Sequence, residues 1–313
     1  MSNREELTAW GRQPITGDCR LRWRQMTDDD REREYNPSSV IGGNYEPFLT
    51  AYKERSDAAR ESISNIIECR YGPNATNTID LFVPDNASTD RRCPLIVFIH
   101  GGYWQELSKR ESIFSAPGFL TQGMAFAAVD YTLAPSASIP EIVEECRNAI
   151  RWLHNAADDF PYDPKLIFVT GSSAGAHLAA MTARPDPQSG KVLPAGLVLV
   201  SGIFELEPVI GTSINIQLTL NSQVARECSP LCLDAVGYPP TLLTWGEVEP
   251  DDFKTQSRAF ATKLRESDVP VRALEVSTRN HFDVVFDLAD TGTALGAEVA
   301  NLIRVVQLAR ETE

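Results

Sequence analysis

Long hydrophobic runs are missing from this chain. Nowhere in its 313 residues do 18 or more apolar side chains follow one another, so no membrane-spanning helix is expected. Positive charge is also short, with 29 Lys and Arg against 43 Asp and Glu for a net charge of −14. Nucleic-acid binding draws on cations that displace counterions, and an anionic lipid surface repels an acidic protein. Neither nucleic acid nor membrane is therefore expected as a partner. Cysteine is sparse: Cys19, Cys69, Cys93, Cys146, Cys228 and Cys232 contain no CxxC pair. Cys228 and Cys232 stand four apart, without a histidine or second cysteine pair at zinc spacing. Reduced thiols, a cytoplasmic location and no metal are the expectation. Histidine is scarcer still, limited to His100, His154, His177 and His281, so any histidine chemistry must come from those four. Internal repeats and low-complexity tracts are absent. The opening MSNREELTAWGRQ is charged and has no apolar stretch, so no secretory leader is expected in it.

What is present is ordinary for a globular protein: 42% hydrophobic and 23% charged residues. A chain of this length buries about three quarters of its surface without disulfide or metal support. Residues 1–60 are polar, with a charged run DDDRERE at 28–34, a turn-rich YNPSS at 35–39 and helical spacing at 46–62. The charged run suits a solvated face. We read 1–60 as an extension packed on a main domain spanning 61–313.

In that domain strands and helices alternate. Strands are expected at 78–83, 94–100, 124–130, 165–170, 195–200, 240–245 and 271–276, and helices at 141–157, 173–183, 252–266 and 295–309. The run PLIVFIH at 94–100 is apolar throughout and rich in β-branched residues, as in a strand buried on both faces. Residues 203–238 are irregular and suit an insertion or lid. The βαβα order predicts an α/β fold with a mainly parallel sheet flanked by helices. Sites in such sheets form beyond the carboxyl ends of the strands.

Two motifs sit at such ends. GSSAG at 171–175 follows the strand KLIFVT and places Ser173 at the centre of GxSxG. A nucleophile on a sharp strand-to-helix turn needs small neighbours two residues to either side, because adjoining backbone approaches closely. The helix that follows favours developing negative charge at its start. Ser172 lacks the symmetric glycines and ranks behind Ser173. HGGYW at 100–104 follows PLIVFIH. A tetrahedral intermediate needs fixed N–H donors, and by analogy with HGGG-type loops these are Gly102 and Tyr103, joined by Ala174. His100 is expected to hold this loop.

In this strand order the histidine base follows the nucleophile, which leaves His177 and His281. His177 lies one turn along the nucleophile's own helix and suits packing. His281, after the last strand and a polar STRN segment taken as a loop, is the expected base. His154, within a helix, is expected to be structural. The acid should follow the strand PTLLTW, where Glu247, Glu249 and Asp251 are candidates that spacing does not separate. Asp251 and Asp252 also suit the start of the next helix.

HGGYW, GSSAGAH, the acidic GEVEPDDFKTQSRAFA at 246–261 and HFDVVFDLAD at 281–290 together resemble the kynurenine formamidase (arylformamidase) family of the α/β-hydrolase superfamily, itself similar to hormone-sensitive-lipase-like esterases. YNPSS and SGIFELEP at 201–208 are similar too, so the resemblance spans roughly residues 30–310. It implies a nucleophile at Ser173, a base at His281 and an acid at Glu249, with Glu247 at a preceding family glutamate. Glutamate replaces the usual aspartate at 249. Ser172 stands where histidine is common, and Phe286 where an acidic residue is common. The implied reaction cleaves an aryl formamide such as N-formyl-L-kynurenine through an acyl-enzyme, with no metal or organic cofactor. Tyr103, Trp104 and Tyr131 are the aromatic candidates for the substrate ring. The alternative is a carboxylesterase or amidase acting on another aryl amide, carbamate or short ester. Self-association as a homodimer stays open.

Overall fold

The computed structural model describes residues 2–184 and 194–311. Positions 1 and 312–313, at the limits of the expected extension and domain, lie outside them. Among the described residues the strands are β1 (Ile66–Arg70), β2 (Thr78–Phe82), β3 (Cys93–Ile99), β4 (Ala125–Val129), β5 (Tyr162–Ser172), β6 (Gly196–Val200), β7 (Thr241–Val248) and β8 (Val271–Asn280). The helices are α1 (Asn3–Trp10), α2 (Asp28–Glu34), α3 (Glu46–Ser62), α4 (Ala116–Thr121), α5 (Ile139–Asn155), α6 (Ala174–Thr182), α7 (Asn215–Leu218), α8 (Ser222–Glu227), α9 (Asp251–Glu266) and α10 (Ala294–Arg310).

The strands form one sheet in the order β1-β2-β4-β3-β5-β6-β7-β8. β2 runs antiparallel to both β1 and β4, and the remaining neighbours are parallel. Alternation along β3 explains its apolar run. Leu95, Val97 and Ile99 join the core on one face, Ile96 and Phe98 the core on the other. Burying an aliphatic side chain of this size contributes about 1.5–3 kcal/mol, so a central strand filled on both faces is strongly held. β1 was not foreseen: it is a short edge strand whose Glu68 and Arg70 are exposed, which blunts the edge against further pairing. α4 was missed because Pro117 and Gly118 stand in its first turn.

The N-terminal residues wrap the domain. Arg304 and Glu6 pair at 2.6 Å between α10 and α1, and Asn3 Nδ2 donates to the Leu308 carbonyl at 2.7 Å. The charged run is α2. Thr27 and Asp30 form a reciprocal cap at its start, and three aspartates in the first turn complement the helix dipole. No α2 side chain is buried, yet Glu32 accepts from the Ser213 N–H at 2.7 Å and from its hydroxyl at 2.5 Å. That ties α2 to the 203–238 segment, which is built from α7, α8 and two 3₁₀ turns at Glu207–Gly211 and Pro230–Cys232. No helix among the described residues is long and apolar enough to cross a membrane.

Candidate active site

Four strands deliver chemically active residues to one rim of the sheet. His100 follows β3, Ser173 follows β5, Glu249 follows β7 and His281 follows β8. Here the expected STRN loop needs correction. β8 pairs with β7 as far as Val248↔Asn280, across an irregularity near Gly246, so His281 is the first residue beyond a strand. Pairing with β7 thus holds the residue just before it, Asn280, in place of a mobile loop.

Ser173 sits at φ 57°, ψ −121°, immediately before α6. A non-glycine residue rarely adopts positive φ, and such conformations persist where surrounding structure over-determines them. Two constraints do so here. The Ser173 N–H donates to the Val200 carbonyl at 2.8 Å. The flanking glycines leave no room for relaxation: a Cβ on Gly175 would lie 2.0 Å from the Ile99 oxygen, and one on Gly171 would lie 2.3 Å from the Gly175 oxygen. Gly175→Ala is therefore expected to lower stability by about 2–3 kcal/mol, the cost of overpacking against backbone, and to reduce turnover by moving Ser173. Chemical denaturation beside a rate assay checks both; a variant as stable and active as the parent would mean the elbow is looser than its contacts.

His281 and Glu249 are both buried, at 4% and 3% exposure. The His281 Nδ1–H donates to Glu249 Oε2 at 3.1 Å. The other carboxylate oxygen, Oε1, accepts from the Gly246 N–H at 2.6 Å and the Ser201 hydroxyl at 2.5 Å. Phe253 and Phe282 press edgewise on the imidazole, with centroids at 4.8 and 5.3 Å. The remaining acidic candidates point elsewhere. Glu247 is exposed and accepts from the Thr278 N–H at 2.8 Å. Asp251 is exposed at the start of α9. Asp252 is buried and accepts from the Tyr35 hydroxyl at 3.0 Å; burial pushes its carboxyl up to about 6.

The loop after β3 turns through three positive φ values: Gly102 at 93°, Tyr103 at 50° and Trp104 at 61°. Among the described residues the Gly102 and Tyr103 N–H groups donate no hydrogen bond. Ala174 opens α6, where a helix offers its own N–H no acceptor. The His100 Nδ1–H donates to the Gly101 carbonyl at 2.9 Å, and its ring stacks on Tyr131 at 4.1 Å.

A cavity of about 360 Å³ opens over Ser173 and His281, with His100, Gly101, Gly102 and Tyr103 in its wall. Its aromatic lining comes from Tyr35, Tyr45 and Tyr52 of the N-terminal residues and from Phe98, Phe114 and Phe282. Of the three aromatic residues expected to meet a substrate ring, only Tyr103 lines it. Trp104 and Tyr131 are fully buried and do not. The Tyr131 hydroxyl donates to the His100 carbonyl at 3.0 Å, so it braces the strand end. The left-handed backbone at Trp104 turns its ring edge-on to His177. Tyr45 and Tyr52 were missed because α3 carries no motif; the stacking of Tyr45 on Phe282 at 5.7 Å is a purely tertiary contact. Ser213 and Ile214 of the 203–238 segment also reach the cavity. No group of three or more His, Cys, Asp or Glu among the described residues is placed to hold a metal ion.

His177 is sealed in the core, and its Nε2–H donates to the Cys228 carbonyl at 2.7 Å. Burial lowers its pKa to about 4 from an ordinary 6.5. The folded state thus resists a proton that the unfolded chain accepts. Stability from the neutral ring is complete above about pH 6.5 and drains as pH falls toward 4. At about 1.36 kcal/mol per pKa unit, the stability gap between the protein and His177→Gln should narrow by up to about 3 kcal/mol from pH 7 to pH 4. Urea titrations at both pH values test this; a gap independent of pH would be inconsistent with a buried neutral imidazole.

A mainly parallel sheet, a strained serine between β5 and α6, and a histidine–carboxylate pair beyond β8 and β7 define an α/β hydrolase of the serine-hydrolase type. Comparisons with known proteins are more specific. The BD-FAE family model matches residues 79–189. The kynurenine formamidase of Salmo salar is 30% identical over 282 residues, covering 86% of this chain and 94% of that protein. Esterase LipQ of Mycobacterium tuberculosis is 26% identical over 243 residues, 71% of this chain and 57% of that protein. Among solved structures, a Silicibacter sp. protein superposes with a TM-score of 0.74 at 26% identity, over 86% of this chain and 98% of the other. The chain belongs to the kynurenine formamidase family.

Proposed function

We propose that this protein hydrolyses an aryl formamide, N-formyl-L-kynurenine being the leading substrate, to the free aniline and formate. Similarity to a kynurenine formamidase along nearly the whole of both chains carries the reading. The cavity supports it, since aromatic side chains surround a serine and a histidine.

In this reading Ser173 is the nucleophile, His281 the general base and Glu249 the acid that orients it. The Glu249 bond to Nδ1–H selects the tautomer whose Nε2 is free to take a proton. His281 removes the Ser173 proton as the hydroxyl oxygen attacks the formyl carbon. The N–H groups of Gly102, Tyr103 and Ala174 receive the oxyanion. His281 then returns the proton to the departing aniline nitrogen, and water hydrolyses the formyl-serine to release formate. An aniline leaves more readily than an alkyl amine, which brings an amide within reach of an esterase-like site. Tyr103, Tyr45, Tyr52 and Phe282 form the ring pocket. Cytoplasmic breakdown of tryptophan is the physiological setting this activity fits.

Similarity to an esterase favours a second reading, cleavage of short aryl esters by the same machinery. Formate release from N-formyl-L-kynurenine measured beside hydrolysis of p-nitrophenyl acetate separates the two. The formamide should have the higher kcat/KM; a far higher value for the ester would remove the formamidase assignment.

A further inference from the structure

We infer that Ser201 is a positioning residue for the hydrolytic reaction: its hydroxyl clamps Glu249 so that one carboxylate oxygen alone faces His281. This rests on Glu249 being the acid of the proposed mechanism. Ser201 is the first residue beyond β6, fully buried, at a φ of +51°. Its N–H donates to the Thr244 carbonyl at 2.7 Å, which extends the β6–β7 pairing by one residue before the chain turns left-handed. Serine bears a Cβ penalty in that region that glycine escapes. A strained serine at this place therefore calls for a role for its hydroxyl. The hydroxyl has one: it donates to Glu249 Oε1 at 2.5 Å, opposite the Gly246 N–H at 2.6 Å.

Glutamate has one more rotatable bond than aspartate, so a glutamate acid samples more orientations unless it is held. Two donors on Oε1 occupy that oxygen and leave Oε2 for the His281 Nδ1–H. The two donors come from different strand ends, Ser201 after β6 and Gly246 within β7. Ser201 does not line the cavity and makes no hydrogen bond to His281, so its effect on the reaction passes through Glu249.

The test is a double-mutant cycle in the intact protein, using Ser201→Ala and Ser201→Gly, each alone and combined with Glu249→Gln. Gly removes the hydroxyl while easing the left-handed backbone, so it supplies the result if Ala fails to fold. Loss of a buried bond to a charged group predicts about a ten- to hundred-fold fall in kcat with KM within about twofold. In the Glu249→Gln background the same change should alter kcat by less than about twofold, since there is no carboxylate left to hold. An equal fall in both backgrounds, or no fall in either, overturns the positioning role while leaving the triad standing if Glu249→Gln alone is crippled. A Glu249→Gln protein as active as the parent overturns both the clamp and the acid assignment.

Discussion

Replacing Ser173 with alanine is expected to lower kcat by about 10⁴–10⁶-fold with the fold intact. The loss is this large because every later step needs the acyl-serine; without the oxygen, only substrate binding and the oxyanion donors remain. The fold should survive because the serine side chain makes no hydrogen bond that the core depends on, whereas its backbone position is enforced by Gly171, Gly175 and the bond to Val200. Alanine also shares the positive-φ burden that serine already bears at φ 57°. Steady-state formate release, with circular dichroism as the folding check, measures this. Labelling with a fluorophosphonate gives an independent result: an adduct on Ser173 in the parent and none in the variant. A Ser173→Ala enzyme within tenfold of the parent would end the acyl-enzyme account.

The second large effect is a ranking. His281→Ala should approach the Ser173 loss, because the base both activates the nucleophile and protonates the leaving group. Glu249→Ala should cost less, about 10²–10⁴-fold, since an imidazole without its carboxylate still accepts protons but is poorly oriented. Glu247→Ala should stay within about threefold of the parent, its carboxylate being directed at the Thr278 N–H on the exposed side of β7. Rates for the three variants under saturating substrate decide the order. A crippled Glu247 variant beside a healthy Glu249 variant would transfer the acid role and with it the meaning of the His281 contact.

The central strands were legible because their demands are local. β3 lies between β4 and β5 with helices on both faces, so nearly every one of its residues must be apolar. The serine elbow was legible because its glycines stand two residues to either side of Ser173, although the backbone that excludes a side chain at Gly175 is the end of β3 at Ile99. His281 stood out through scarcity and chain order. Its backbone setting did not, because β8 continues through polar residues whose strand character comes from pairing with β7 across an irregular register. Nor did the choice between Glu247 and Glu249, two residues apart at the end of one strand. The bend at Glu249 and the donors from Ser201 and Gly246 draw the second inward and leave the first in solvent.

The aromatic wall shows the same division from the other side. Tyr103, Trp104 and Tyr131 looked equivalent in the sequence, each close beyond a strand. Tertiary packing sent Trp104 and Tyr131 into the core and brought Tyr45, just before α3, and Tyr52 of α3 to face Phe282 and Phe114.

By itself, then, the amino-acid order determined the layered α/β architecture and singled out Ser173, the HGGYW loop and His281 as the candidate nucleophile, oxyanion loop and base, because periodicity, motif spacing and the scarcity of histidine are read along the chain. Only the tertiary structure decided which carboxylate meets the imidazole, what holds that carboxylate, and which rings border the cavity. Those depend on residues brought together from separate elements, Ser201, Glu249 and His281 from the ends of three strands and Tyr52 from a helix that meets the Phe282 carbonyl, and no local pattern encodes that packing.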